Sequence, residues 1–212
     1  YGESHGDFPL AEFLSEEELV QLMDKRNIVK EAVIAGERAK LADYESAVTT
    51  IHDYADIKKA LESLHEIDFG LLKGDHNKGV EAIWVEKARL ADIASAFADS
   101  REAQKFAGET YNGRGLSAKA VDCARRLLAL GAESDAEGII RGASNSIPSK
   151  DITTLAKELE SGHPFISLEL YLKTRSKEDF VRLVQALLAH GDLHAVEKAA
   201  WQVSFAWPIC KD

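Results

Sequence analysis

The sequence predicts an all-α fold of stacked antiparallel helical hairpins. Ala, Leu, Glu and Lys dominate, and apolar residues recur at three- and four-residue steps, the spacing of one helix face. No alternating apolar and polar stretch is bracketed by hairpin turns, so strands are not expected. A phrase that ends in glycine also returns about every 30 residues. Together these observations predict an α-solenoid-like stack.

The repeat is marked by Gly131, Gly162 and Gly191, which are 31 and 29 residues apart. An apolar residue stands three and seven positions before each glycine, and these two offsets share a helix face that we expect to be buried. The paired residues are Leu128 and Ala124, Leu159 and Leu155, and Leu188 and Val184.

The same offsets extend the repeat toward the N-terminus. Phe97 and Ile93 precede Ser100 in this way, and Val33 and Val29 precede Gly36. Each glycine is predicted to form the turn between two helices, because it adopts a left-handed backbone without steric cost. A non-repeating helical bundle is the alternative.

The first helix is predicted to begin at a capping box, in which Ser15 accepts from free amides and Glu18 reaches back. Val20, Leu22 and Met23 are expected to form its inner stripe. Further helices are predicted at 28–46, 47–65, 80–99, 101–110, 117–130, 133–143, 150–160, 164–174, 177–190 and 192–206.

The segments 66–79, 110–115 and 144–149 are predicted loops, and none has the length or polarity of a domain linker. We therefore expect one helical-hairpin repeat domain over 11–212, preceded by an extended N-terminal arm at 1–10.

The acidic charge balance makes nucleic acid an unlikely partner. The formal net charge is −10, whereas contacts with phosphate backbones or anionic membranes need clustered cations. No apolar run approaches the roughly 20 residues of a membrane span. Other protein subunits of an assembly are the expected partners.

Histidines and carboxylates around the first predicted loop are the candidate metal ligands. His52 and Asp56 are four residues apart on one predicted helix, and His65 and His76 add donors nearby. A helical metal site needs a second such pair on a facing helix, and the sequence offers none. Solvated surface or capping is therefore the favoured interpretation, and no metal or cofactor is expected.

Two cysteines make no disulfide framework. Cys123 is predicted to face inward and to be inert, whereas Cys210 is expected near the exposed C-terminus. Two reduced thiols in an intracellular compartment are favoured over a single disulfide. The first residue is Tyr1 rather than Met, which is compatible with removal of a targeting segment.

The stretch DFVRLVQALLAHGDLHAVEKAAWQV, 179–203, resembles a pentatricopeptide- or tetratricopeptide-type helical hairpin. The resemblance lies in the small and apolar residues that flank a Gly-Asp turn. It implies either RNA binding in organelles or a scaffold role in an assembly, and the acidic charge favours the scaffold. The resemblance, together with a first residue that is not Met, also favours a mitochondrial organelle matrix over the cytoplasm.

Aromatic residues near the C-terminus are the candidate partner-binding residues. Trp201, Phe205 and Trp207 fall near one face of the last predicted helix. They either cap the core or anchor a partner, because a terminal repeat leaves an apolar face that must be covered. The sequence contains no catalytic signature, so it predicts a non-enzymatic structural or interaction subunit of a larger protein assembly, such as an accessory subunit of a mitochondrial complex. An RNA-binding repeat protein, and a metal protein or enzyme that uses the 52–76 region, are the alternatives.

Overall fold

A computed structural model describes residues 14–143 and 163–191, together with positions 154, 197 and 201. The described residues form α-helices and contain no strand, which confirms the predicted all-α class. The helices are α1 (Glu16–Thr49), α2 (Tyr54–His65), α3 (Phe69–Lys73), α4 (His76–Ala96), α5 (Arg101–Gly113), α6 (Ser117–Ala129), α7 (Glu133–Ala143), α8 (Pro164–Thr174) and α9 (Lys177–His190).

The described chain divides into two compact units. The first contains the described residues up to Ile51 together with Lys58–Val85, and the second contains His52–Ile57 and the described residues from Glu86 onward. The predicted arm at 1–10, Gly162, and all but isolated positions of the predicted helices 150–160 and 192–206 lie outside the described residues.

Helix α1 is longer than predicted. It runs without a break through residue 28, where we expected a second helix to begin, and through Gly36, where the extended repeat implies a turn, and it ends at Thr49. One glycine in a helix interior costs only about 1 kcal/mol relative to alanine. The good helix formers on both sides of Gly36 outweigh that cost, so the chain turns later, at 50–53. The predicted loop at 66–79 also contains the short helix α3 and the first residues of α4.

In the first unit, Glu37 joins α1 to the chain just before α3. Its Oε2 accepts a hydrogen bond from the Asp68 backbone amide at 2.7 Å, and its Oε1 accepts one from Lys40 Nζ at 2.7 Å. The same ammonium reaches the Glu66 carbonyl at 3.1 Å. These bonds hold the pKa of Glu37 below its usual value, with the Lys40 hydrogen bond as the largest cause. The carboxylate therefore stays charged where it stabilises the junction.

Helices α3 and α4 approach each other at two glycines. A Cβ on Gly79 would lie 2.4 Å from the Gly70 backbone nitrogen, far inside van der Waals contact. The absence of side chains at both positions lets the backbones pack directly. The C-terminal half of α1 packs against α3. The glycine contact and the Glu37 hydrogen bonds hold α3 in place.

In the second unit, α5, α6 and α7 pack against one another around small side chains. A Cβ on Gly108 of α5 would approach Ile139 of α7 and Cys123 of α6 closely. At the start of α7, Asp135 accepts from Arg101 Nε at 2.5 Å and forms an ion pair with Lys105 at 3.0 Å. These contacts tie the first turns of α5 and α7.

Helices α8 and α9 form an antiparallel hairpin. Leu168 and Tyr171 of α8 share a buried cluster with Leu183 of α9, and Phe180 packs against it. The Ser176 hydroxyl caps α9 by accepting from the Asp179 amide at 3.1 Å. The predicted bounds 164–174 and 177–190 are confirmed for this hairpin.

A buried carboxylate lies where α8 meets α7. Glu169 is 8% exposed, and its Oε1 lies 3.9 Å from Arg141 Nε, beyond hydrogen-bond distance. Arg141 Nη2 instead contacts Glu137 at 2.6 Å. Burial raises the pKa of Glu169, while Arg141 and Lys173 lower it and Glu137 raises it further. The charged form of Glu169 is therefore costly in the folded state.

The predicted repeat register holds at Gly131 and is wrong at Gly191 and Gly36. Gly131 and Gly191 both have left-handed backbones, and Leu128 and Ala124 are buried as expected. Val184 and Leu188, however, are exposed, because α9 turns Leu183 to its partner helix and buries Ala186 instead. Val29 and Val33 before Gly36 are also exposed. The stacked repeat is therefore not confirmed, although the all-α packing is.

Replacing Gly36 by alanine tests the continuity of α1. We expect Gly36→Ala to raise the free energy of unfolding by about 0.5–1 kcal/mol, since the position is helical and a Cβ meets nothing within 4 Å. Gly131→Ala is the contrast, because φ is 72° there, and should lower it by about 1 kcal/mol. Urea unfolding followed by circular dichroism measures both. Destabilisation by Gly36→Ala would contradict the continuous helix.

Replacing Glu169 by glutamine tests the buried carboxylate. Its pKa is raised on folding, so its favourable contribution is complete below the unfolded pKa and is lost as the pH rises through the folded pKa. We expect Glu169→Gln to be more stable than the wild type at pH 7, with the gain disappearing near pH 4. Glu137→Gln, which removes the carboxylate bound by Arg141, should be less stable at pH 7. Urea titrations at pH 4 and pH 7 measure the free energy of unfolding of each variant. Destabilisation by Glu169→Gln at pH 7 would contradict the claim that the charged form of Glu169 is costly in the folded state.

Candidate partner-binding surface

The first half of α1 begins at the predicted capping box. The Ser15 hydroxyl accepts from the Glu18 amide at 3.3 Å, and the Glu18 carboxylate accepts from the Ser15 amide at 2.8 Å. The backbone hydrogen bond from Ser15 is the largest cause that lowers the pKa of Glu18. Three glutamates in the first turn also complement the helix dipole. Local chemistry therefore starts this helix without help from packing.

Every residue from Val20 to Val33 is exposed. The expected inner stripe of Val20, Leu22 and Met23 is therefore wrong, since these side chains face solvent. The large apolar side chains in this stretch are between 45% and 66% exposed, and they are Val20, Leu22, Met23, Ile28, Val29 and Val33. Burying one such side chain completely contributes about 1.5–3 kcal/mol, so the stretch leaves substantial stabilisation unused.

Three of these side chains lie on one side of the helix. Leu22, Val29 and Val33 are spaced by seven and four residues, and we call them the α1 face. The same side of α1 continues toward the C-terminus as Glu37, Tyr44 and Val48, which are buried in the first unit. One stripe is thus covered in its second half and exposed in its first half.

A second apolar stripe lies on α9. Val181, Val184 and Leu188 are spaced by three and four residues and are 45%, 38% and 77% exposed. Trp201, the first of the predicted partner-binding aromatics, is helical and 70% exposed. Phe205 and Trp207 lie outside the described residues.

The candidate metal ligands fall in both units. In the second unit, the Asp56 carboxylate accepts from the His52 backbone amide at 3.1 Å, which is a role at the start of α2. In the first unit, His65 ends α2 and His76 begins α4, and both are exposed. Within the described residues, no group of three or more His, Cys, Asp or Glu side chains could hold a metal ion.

His52 also lines an open groove of about 650 Å³ in the second unit. The first turn of α2 and the turn between α4 and α5 form its walls, with Tyr54, Phe97 and Asp99 among the lining residues. Asp53 in this groove already accepts from the Asp56 amide at 2.9 Å. Burial raises the pKa of Tyr54, and the nearby Glu102 adds to the shift.

Cys123 is buried, as predicted. Its side chain is 2% exposed on α6, and burial raises the pKa of the thiol to about 11. The thiolate is the reactive form of cysteine, so this residue is unsuited to nucleophilic chemistry at neutral pH.

Comparisons with known proteins add no relative. No protein-family model, curated protein or solved structure matches the chain. In the part of the chain that the structure describes, no helix is both long enough and apolar enough to cross a membrane.

The reactivity of the Cys123 thiol tests directly whether this residue is buried. In a Cys210→Ser variant, we expect no reaction with a disulfide reagent at pH 8 on the timescale on which free cysteine reacts completely, because the thiol is inaccessible and protonated. Unfolding in guanidinium should release one reactive thiol. Rapid reaction in the folded protein would contradict the buried position.

Proposed function

We propose that this chain is a non-enzymatic interaction subunit of a larger protein assembly. The observation that carries the proposal is the α1 face, which continues a buried stripe into solvent. A contiguous exposed apolar surface on a folded protein is typical of a site that another macromolecule covers.

The helix itself also favours a binding role for this stretch. A helical segment gains most of its stability in a protein from packing one face, and short isolated helices are marginal in water. Between Val20 and Val33 no face is packed, although the capping box holds the start of the helix. Covering the α1 face supplies the missing stabilisation. Helices that bind other proteins use the same spacing of apolar anchors.

The compartment in the proposal follows from sequence. The resemblance of 179–203 to pentatricopeptide-type hairpins supports an accessory subunit of a mitochondrial complex rather than a cytoplasmic assembly. The exposed stripe on α9 and Trp201 offer a second contact surface for such a complex. The net charge of −10 supports protein over nucleic acid as the partner.

The assembly is tested by the size of the native protein. In a mitochondrial extract, we expect the chain to elute in size-exclusion chromatography at a mass above twice its own 23.3 kDa. The double variant Leu22→Glu/Val29→Glu, expressed in the same cells, should shift to a smaller species, because charged side chains on the α1 face cannot be buried against a partner. Immunoblotting of the fractions measures both.

A matched control keeps the added charge and moves it to another side of the helix. Gln21→Glu/Ala35→Glu introduces two carboxylates at exposed positions away from the α1 face, so it should elute like the wild type. Elution of the wild-type chain near 23.3 kDa would contradict the assembly. Equal elution of all three proteins at large mass would contradict the role of the α1 face.

A further inference from the structure

We propose that the α1 face pairs with the α1 face of a second copy of this chain, in antiparallel orientation. This inference rests on the proposed interaction role and names the first partner. The occupant follows from the spacing and charge of the exposed half of α1.

The spacing is that of a two-helix seam. The α1 face and the half-buried Leu19 before it stand at alternating three- and four-residue steps, Leu19, Leu22, Val29 and Val33, with Arg26 in the middle. Such a pattern lets two helices pack side chains into each other along a narrow seam. The seam ends at Val33, four residues before Glu37 enters the buried junction. From Leu19 to Val33 it spans roughly 21 Å, which is a small interface.

The charges disfavour a parallel pair. In register, the two Arg26 side chains would oppose each other in the seam. Lys25 of each chain would also flank Lys30 of the other, since residues at these positions face each other across a parallel pair. Such like-charge contacts act against association.

Reversing one helix relieves these contacts. Leu19 then faces Val29 of the second copy, and Arg26 lies over Leu22, which its methylene stem can cover while the guanidinium reaches water. Glu16 comes opposite Lys30 of the second copy, and symmetry forms this pair twice. One like-charge contact remains, between the two Lys25 side chains at the two-fold axis.

The charge distribution along the helix agrees with this orientation. The stretch 15–23 carries three glutamates and no cation, whereas 24–30 carries Lys25, Arg26 and Lys30 against Asp24. In the register given above, an antiparallel pair places Glu16 of each helix beside Lys30 of the other. A parallel pair places the cationic side chains of the two copies next to each other. Charge complementarity therefore selects a reversed second copy.

The mass of the purified full-length chain tests the pairing. Light scattering at tens of micromolar, where an interface at the small end of the size range associates, should give twice 23.3 kDa. Leu22→Glu/Val29→Glu should weaken association by about 100-fold or more, because it places carboxylates in the seam. Gln21→Glu/Ala35→Glu should remain dimeric. A monomeric wild type, or a dimer unaffected by Leu22→Glu/Val29→Glu, would overturn the pairing.

Disulfide trapping tests the orientation. Chains carrying Glu16→Cys or Lys30→Cys, each in a Cys210→Ser background and with different tags, are mixed and oxidised. An antiparallel pair gives predominantly the mixed disulfide, which its size identifies on a non-reducing gel. Predominant disulfides between identical chains would overturn the antiparallel orientation.

These readouts separate the inference from the proposed function. A purified chain that is monomeric, but whose large native assembly still dissociates on Leu22→Glu/Val29→Glu, leaves the proposed function intact and overturns the second copy. A purified dimer whose native mass is also only twice 23.3 kDa supports the pairing and contradicts the larger assembly.

Discussion

The hydrogen bonds of the Glu37 carboxylate are the interaction on which the organisation of the first unit depends. The carboxylate binds the backbone before α3, and it also binds Lys40, whose ammonium donates to the Glu66 carbonyl. A partly buried carboxylate with charge-assisted hydrogen bonds on both oxygens is a strong junction. It also marks a boundary along α1, because the stripe that contains it is packed on its C-terminal side and exposed on its N-terminal side.

That boundary gives the two halves of α1 different sources of stability. Tyr44 and Val48 are buried after it, so the second half is held by the hydrophobic effect. The first half has the capping box at its start and a good helix-forming sequence, but its apolar side chains are exposed and so contribute no burial to its stability. A partner that covers the α1 face would extend the core past Glu37. The proposed function therefore rests on the change from buried to exposed residues along α1 at Glu37.

Local signals in the sequence predict some of the helix ends well. The capping box at Ser15 and Glu18, and the bounds of the hairpin 164–174 and 177–190, depend on residues that are close in sequence. The turn that the extended repeat implies at Gly36 is wrong because glycine permits a turn without requiring one. The side of a helix that is buried depends on its neighbours, which explains why Val184 and Leu188 are exposed despite their spacing. For the same reason the sequence did not predict that the α1 face is exposed. An apolar stripe has the same spacing whether it contacts the core, a partner or water.

The measurement that tests this account most directly is hydrogen exchange of the α1 amides as a function of protein concentration. Amides within 20–33 should gain protection as the concentration rises, because pairing stabilises that half of the helix, whereas those near Tyr44 and Val48 should be protected throughout. Protection of 20–33 that is as strong in dilute solution as in concentrated solution would contradict the claim that this half of α1 depends on a partner.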